Sequence, residues 1–206
     1  VDGVGLTGLS DLNENIFIAN GGLSGYIADN YNGDDETVLT GDPSALYEYS
    51  AGSLSLYASV TNPGYTFEDG LEDVDGQAYA LGVAYTMGDY KLSAAYEKLD
   101  LDAISGFNQD VTYDHLIVGA DATFGAVVVK ARYGAGNVDN EFGAFSDLEQ
   151  WALSATYTSG ALGLTAFASE KSDTFAGGGN RFTREAYGLG ASYDLGDWVK
   201  VVVGYA

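Results

Sequence analysis

The sequence predicts an all-β fold, a transmembrane antiparallel β-barrel, and three observations predict it. Glycine turns recur at 52, 88, 125, 160 and 196. Between them run segments in which large apolar residues alternate with small or polar ones. Aromatic residues bracket the apolar side of those segments. Composition agrees, because 206 residues hold 29 Gly and 16 Tyr but only 2 Pro, a β-type usage. A net charge of −22 excludes a conventional nucleic-acid binder, which needs Lys and Arg to displace counterions. At 46% hydrophobic residues the chain is no disordered acidic tail. Lack of cysteine excludes a disulfide scaffold and any Cys metal site.

The turns come first. YSAGSLSL (49–56), YTMGDYKL (85–92), TFGAVVV (123–129), YTSGALGL (157–164) and YDLGDWVK (193–200) each centre on a glycine, with spacings of 36, 37, 35 and 36. A tight turn favours Gly because it needs φ > 0. Each unit holds two strands, one tight turn and one longer connection. A propeller blade needs four short strands in a similar length. Only two strands of roughly ten residues fit, which suits a tilted membrane strand of about 9–11 residues.

The strands follow in order. Over 77–87 one face is Tyr79, Leu81, Val83, Tyr85 and Met87, opposite Ala78, Ala80, Gly82, Ala84 and Thr86. Next, Tyr90, Leu92, Ala94 and Tyr96 oppose Lys91, Ser93, Ala95 and Glu97. Val127, Val129, Ala131 and Tyr133 oppose Val128, Lys130 and Arg132. Over 148–158, Trp151, Leu153, Ala155 and Tyr157 oppose Gln150, Ala152, Ser154 and Thr156. Over 184–195, Tyr187, Leu189, Ala191 and Tyr193 oppose Gly188, Gly190, Ser192 and Asp194. Last, Val199, Val201, Val203 and Tyr205 oppose Lys200, Val202 and Gly204.

The pairs Tyr79/Tyr85, Tyr90/Tyr96, Trp151/Tyr157 and Tyr187/Tyr193 repeat one interval of six residues. Six residues cover about 20 Å of strand before tilt. Two aromatic rows flanking an aliphatic band are what two lipid–water boundaries select, so these residues read as aromatic girdles. A soluble sandwich also alternates, but its large residues form a core and need no aromatic at both ends. The charge-free stretch 151–169 is long enough for a membrane helix. Its Ser159–Gly160 break and its alternation point to strands instead.

Connections 61–76, 100–110, 135–147 and 171–183 read as longer loops rich in acids such as Glu68, Asp69, Glu72, Asp73 and Asp75. Outer-membrane barrels have short periplasmic turns and longer external loops, which puts the glycine turns on the periplasmic side. Residues 1–45 are glycine-rich and acidic and lack the alternation. So long an irregular segment reads as a functional loop, with the barrel strands in 46–206. Val1 opens neither a basic segment nor an apolar run, so no signal peptide is read there. The missing initial Met suits a mature form or a fragment.

These segments resemble the general diffusion porins of the Gram-negative outer membrane, most of all the purple photosynthetic bacterial type. The likeness is carried by LTGDPSALYEYSAGSLSLYAS (39–59), AYTMGDYKLSAAYEKLD (84–100), ATFGAVVVKARY (122–133) and YGLGASYDLGD (187–197). It implies a sixteen-stranded barrel, a homotrimer, and one pore per monomer. It also implies that residues 1–45 are the constriction loop and that about ten strands here correspond to strands six to fifteen. Five N-terminal strands and the last strand of the family pattern are then missing, so the chain reads as part of a longer protein.

The chemistry expected is electrostatic. Acids that bend into a lumen favour cations; the candidates are Asp11, Glu14, Asp29, Asp34, Asp35, Glu36 and Asp42. Lys91, Lys130, Arg132 and Lys200 fall on the small-residue face and read as lumen wall. The sole histidine, His115, has no G-x-S-x-G elbow to serve, so no enzyme is read. Segment NYNGDDE (30–36) is dense in oxygen ligands, but an EF-hand loop needs Gly at 35 and Glu at 41, where Asp35 and Gly41 stand. An irregular structural Ca²⁺ site stays open there, and no other cofactor is expected. The function read is passive diffusion of small hydrophilic solutes and ions, with weak cation preference. Expected partners are a homotrimer, outer-membrane lipid and lipopolysaccharide, and no nucleic acid. Two alternatives remain: a solute-specific channel with lumen aromatics Tyr57, Tyr113 and Phe167, and a soluble all-β binding or adhesion protein.

Overall fold

The computed structural model describes residues 44–61, 64–66, 73–102, 110–141, 143–176, 181–196 and 199–205. The regular elements in them are all strands. They are β1 (Ser44–Ala51), β2 (Leu54–Thr61), β3 (Gly64–Thr66), β4 (Asp73–Met87), β5 (Tyr90–Leu101) and β6 (Val111–Phe124). The rest are β7 (Val127–Asn140), β8 (Gly143–Ser159), β9 (Leu162–Phe175), β10 (Arg181–Gly196) and β11 (Val199–Tyr205). They form one antiparallel meander in chain order, with β3 alone off the path and paired only to β4. Among the described residues β1 and β11 are the two ends of the sheet.

All five turn glycines are left-handed, with φ of 59° at Gly52, 58° at Gly88, 60° at Gly125, 57° at Gly160 and 76° at Gly196. A Cβ added at Gly125 would touch nothing, so glycine is demanded there by the dihedral and not by space. Gly125→Val should therefore cost about 1–2 kcal/mol in a urea refolding titration, and Gly125→Asn clearly less. The constant spacing has a second consequence. The carbonyl of the residue after each turn glycine accepts from the N–H two residues before the next one: Thr86 to Ser53 (2.9 Å), Thr123 to Asp89 (2.8 Å), Thr158 to Ala126 (2.8 Å) and Asp194 to Ala161 (2.9 Å). Some 36 residues are what one hairpin needs to run out, return and meet its neighbour at the same level.

The charge-free stretch 151–169 is split between β8 and β9 around Gly160, so it is a hairpin and not a helix. Three connections differ from the sequence reading. In 61–76, β3 spans Gly64–Thr66 and β4 starts at Asp73, so Asp73 and Asp75 lie in strand. Residues 135–147 are mostly strand, since β7 runs to Asn140 and β8 starts at Gly143, with a bulge between Val138 and Asp139. Likewise β9 continues to Phe175 and β10 begins at Arg181, inside the expected loop 171–183. Both strand ends carry polar residues on both faces, so the apolar alternation fades while the hydrogen-bond ladder continues.

One face of the sheet is large and exposed, the other small and covered. Leu81 is 57% exposed and Leu189 69%, against 1% for Ala80 and 2% for Ala84. The covered face is not wholly polar. Ile117, Leu148 and Phe167 lie buried on it, and Val138 packs with Leu148, Val111 and Tyr113 near the end away from the glycine turns.

Candidate pore wall

Register decides which residues of the covered face meet. Lys91 of β5 stands opposite Asp121 of β6, and Asp121 stands opposite Lys130 of β7. Arg132, buried on β7, reaches back to the same acid, its Nη1 donating to Asp121 Oδ1. That nitrogen also donates to Ala131 O at 2.8 Å and Ala120 O at 3.3 Å. The guanidinium has room because residue 119 is glycine: a Cβ there would lie 2.8 Å from Arg132 Cδ and 2.6 Å from Ser93 Oγ. Three of the four expected basic wall residues thus gather round Asp121. The fourth, Lys200, stands apart on β11, opposite Asp194 of β10. Asp121 was legible: counting outward from the Gly125 turn puts it opposite Lys130.

A second group sits farther from the turns. Glu97 of β5 is opposite His115 of β6. Their Oε1 and Nδ1 are 3.3 Å apart, and His115 Nε2 lies 3.0 Å from Gln150 Nε2 of β8. His115 reaches β8 by crossing β7, whose residues at that level are Gly134 and Gly136. A Cβ at Gly134 would stand 2.6 Å from His115 Nε2, and one at Gly136 2.0 Å from Asp114 O. Gly134→Ala should push the imidazole off Gln150 and destabilise the barrel by about 1–3 kcal/mol in the same urea titration, with Ser154→Ala as a milder control on this face. Sequence reasoning saw His115 as a lone residue. Its partners depend on the β5–β6 register, set across the long connection 102–110, and on the β7–β8 register, which the bulge at Val138/Asp139 offsets.

The eight aromatics read as girdles all lie on the exposed face: Tyr79, Tyr85, Tyr90, Tyr96, Trp151, Tyr157, Tyr187 and Tyr193. Tyr79 packs on Tyr96 with centroids 6.3 Å apart. Tyr90 meets Phe124 edge-on at 6.3 Å. Phe124 and Tyr133, which is opposite Trp151, extend the two rows and were missed because their strands lack the six-residue pair. Tyr57, Tyr113 and Phe167 lie on three separate strands, β2, β6 and β9, and Phe167 is buried. Asp11, Glu14, Asp29, Asp34, Asp35, Glu36 and Asp42 lie outside the described residues, as does the NYNGDDE segment.

With the two-faced sheet in view, comparison with known proteins is decisive. The family model of Gram-negative porins matches residues 2–206. The chain belongs to the Gram-negative porin family. It is 36% identical over 196 residues to a porin of Rhodobacter capsulatus, covering 86% of this chain and 62% of that porin. The chain therefore spans less than two thirds of that relative's length. A porin structure refined at 1.8 Å superposes with a TM-score of 0.67 at 30% identity, over 98% of this chain and 69% of the other. A loop-deletion form of OmpT, an outer membrane protein of Vibrio cholerae, shares the fold at a TM-score of 0.66 and 20% identity, over 86% of this chain and 65% of its own. Family membership makes the fold a transmembrane β-barrel of the Gram-negative outer membrane. It replaces the soluble binding-protein alternative, and porins are channels rather than enzymes.

Proposed function

We propose that the whole protein forms a water-filled channel for passive diffusion of small hydrophilic solutes and ions, with a weak preference for cations. The observation that carries this reading is the two-faced sheet, with Leu81 and Leu189 exposed on one side and Lys91, Asp121, Lys130 and Arg132 clustered on the other. The large face meets lipid, its aromatic rows marking the two interfaces. The charged face lines the lumen, with Lys200 farther round the wall.

Residues 1–45 act as the constriction in this reading. They hold eight acids (Asp2, Asp11, Glu14, Asp29, Asp34, Asp35, Glu36 and Asp42), Glu48 just beyond makes a ninth, and they hold no Lys or Arg. Against a basic wall, such a segment sets a transverse field across the pore and attracts cations at its narrowest point. The family resemblance supports a homotrimer embedded in outer-membrane lipid and lipopolysaccharide, working without a cofactor. Liposome swelling with sugars of increasing size tests the diffusion reading. Uptake should decline smoothly with solute size, and saturation with one solute would favour a solute-specific channel instead.

A further inference from the structure

Of the three cations round Asp121, Arg132 is the one in ion-pair contact with it among the described residues, and it is buried. We propose that Asp121 and Gly119 are positioning residues that hold the Arg132 guanidinium flat against the wall, out of the ion path, and so preserve the channel's preference for cations. The proposal rests on the pore reading above. Arginine keeps its charge at every pH a protein meets, so its placement decides what a passing ion feels. A stem of this length reaches either along the wall or toward the axis of the pore.

The contacts choose the wall. Nη1 donates to Asp121 Oδ1, to Ala131 O at 2.8 Å and to Ala120 O at 3.3 Å, which ties the group to β6 and β7 together. The stem lies in the slot that Gly119 leaves, since a Cβ there would stand 2.8 Å from Arg132 Cδ and 3.0 Å from Nε. Ser93 Oγ, 2.6 Å from the same Cβ, clears it by a change of rotamer. Cδ and Nε sit mid-chain, so when they move the guanidinium moves with them. Paired in this way, Arg132 and Asp121 cancel, and Lys91 of β5 and Lys130 of β7 are the excess charge at this level. The residues opposite them on the outer sides are neutral: Thr86 faces Lys91, Ala152 faces Arg132 and Ser154 faces Lys130. Released from the slot, the guanidinium carries its charge toward the axis while Asp121 stays on the wall beside the two lysines. Net charge is unchanged, but its positive end then meets the ions in a narrower path. Cations are favoured less.

The test uses the full-length protein. Gly119→Ala alters no charge, yet in planar bilayers it should lower the K⁺/Cl⁻ permeability ratio about twofold and reduce single-channel conductance. In an Arg132→Gln background the same substitution should change neither, because no guanidinium is left to displace. Phenylglyoxal, a small reagent for guanidinium groups, reads the placement without any current when the modified peptides are weighed by mass spectrometry. It should modify Arg132 about tenfold more slowly in folded wild type than in Gly119→Ala or in the near-isosteric Asp121→Asn, which serves should Gly119→Ala fold poorly. Equal labelling of Arg132 in wild type and variant overturns the proposal. So does a permeability shift on Gly119→Ala that persists in the Arg132→Gln background. A wild-type protein that folds but carries no current counts against the pore reading alone, and the labelling still decides whether Arg132 is held.

Discussion

Arginine at Leu81, Val129 or Leu189 should destabilise the barrel by about 2–4 kcal/mol in lipid, while arginine at Thr165 should cost much less and alter conductance instead. All three apolar positions lie on the large face between the aromatic rows, where a guanidinium has no water and no partner. Thr165 is half-buried on the opposite face, across from Thr156, whose hydroxyl lies 3.0 Å from its own. The alternation alone would have named Ala80 as the harmless position. The structure withdraws that choice: Ala80 is 1% exposed and stands opposite Glu97, so a large side chain there overpacks the wall. Urea titrations of refolding into lipid vesicles measure the difference. Equal losses on both faces would show that the alternation does not separate lipid from lumen.

The sheet was largely legible because lipid writes a strong pattern. Tyr79, Leu81, Val83 and Tyr85 could be placed on one face from spacing alone, and the glycines at 52, 88, 125, 160 and 196 gave the hairpins. Where the chain leaves the membrane, both faces meet water and the pattern fades. That is why Asn137, Asp139 and Ser146 read as loop although β7 and β8 hold them. The wall chemistry was legible only in part. Tight turns fix the pairing of Asp121 with Lys130, but Lys91 and Glu97 meet β6 across the connection 102–110, whose length does not determine register. Glycine at 119 and 134 also reads as weak strand sequence until the side chains of Arg132 and His115 are seen lying across it.

The central claim is that residues 1–45 are the cation-attracting constriction, and planar-bilayer reversal potentials across a salt gradient test it most directly. Neutralising Asp34, Asp35 and Glu36 together should move the K⁺ over Cl⁻ permeability ratio most of the way toward unity, because water screens least at the narrowest point. Folding should survive, since loop charges carry little packing energy. The remaining preference should also weaken with salt, as the Debye length shrinks from about 10 Å at 0.1 M to about 3 Å at 1 M. The same replacement at Glu72, Asp73 and Asp75 should do far less. Asp73 and Asp75 sit at the end of β4 away from its glycine turn, paired with β3, the end that the proposed sidedness turns toward bulk electrolyte. A large shift for the first triple variant and a small one for the second is the predicted result. Equal shifts for both would contradict the assignment of residues 1–45 as the constriction.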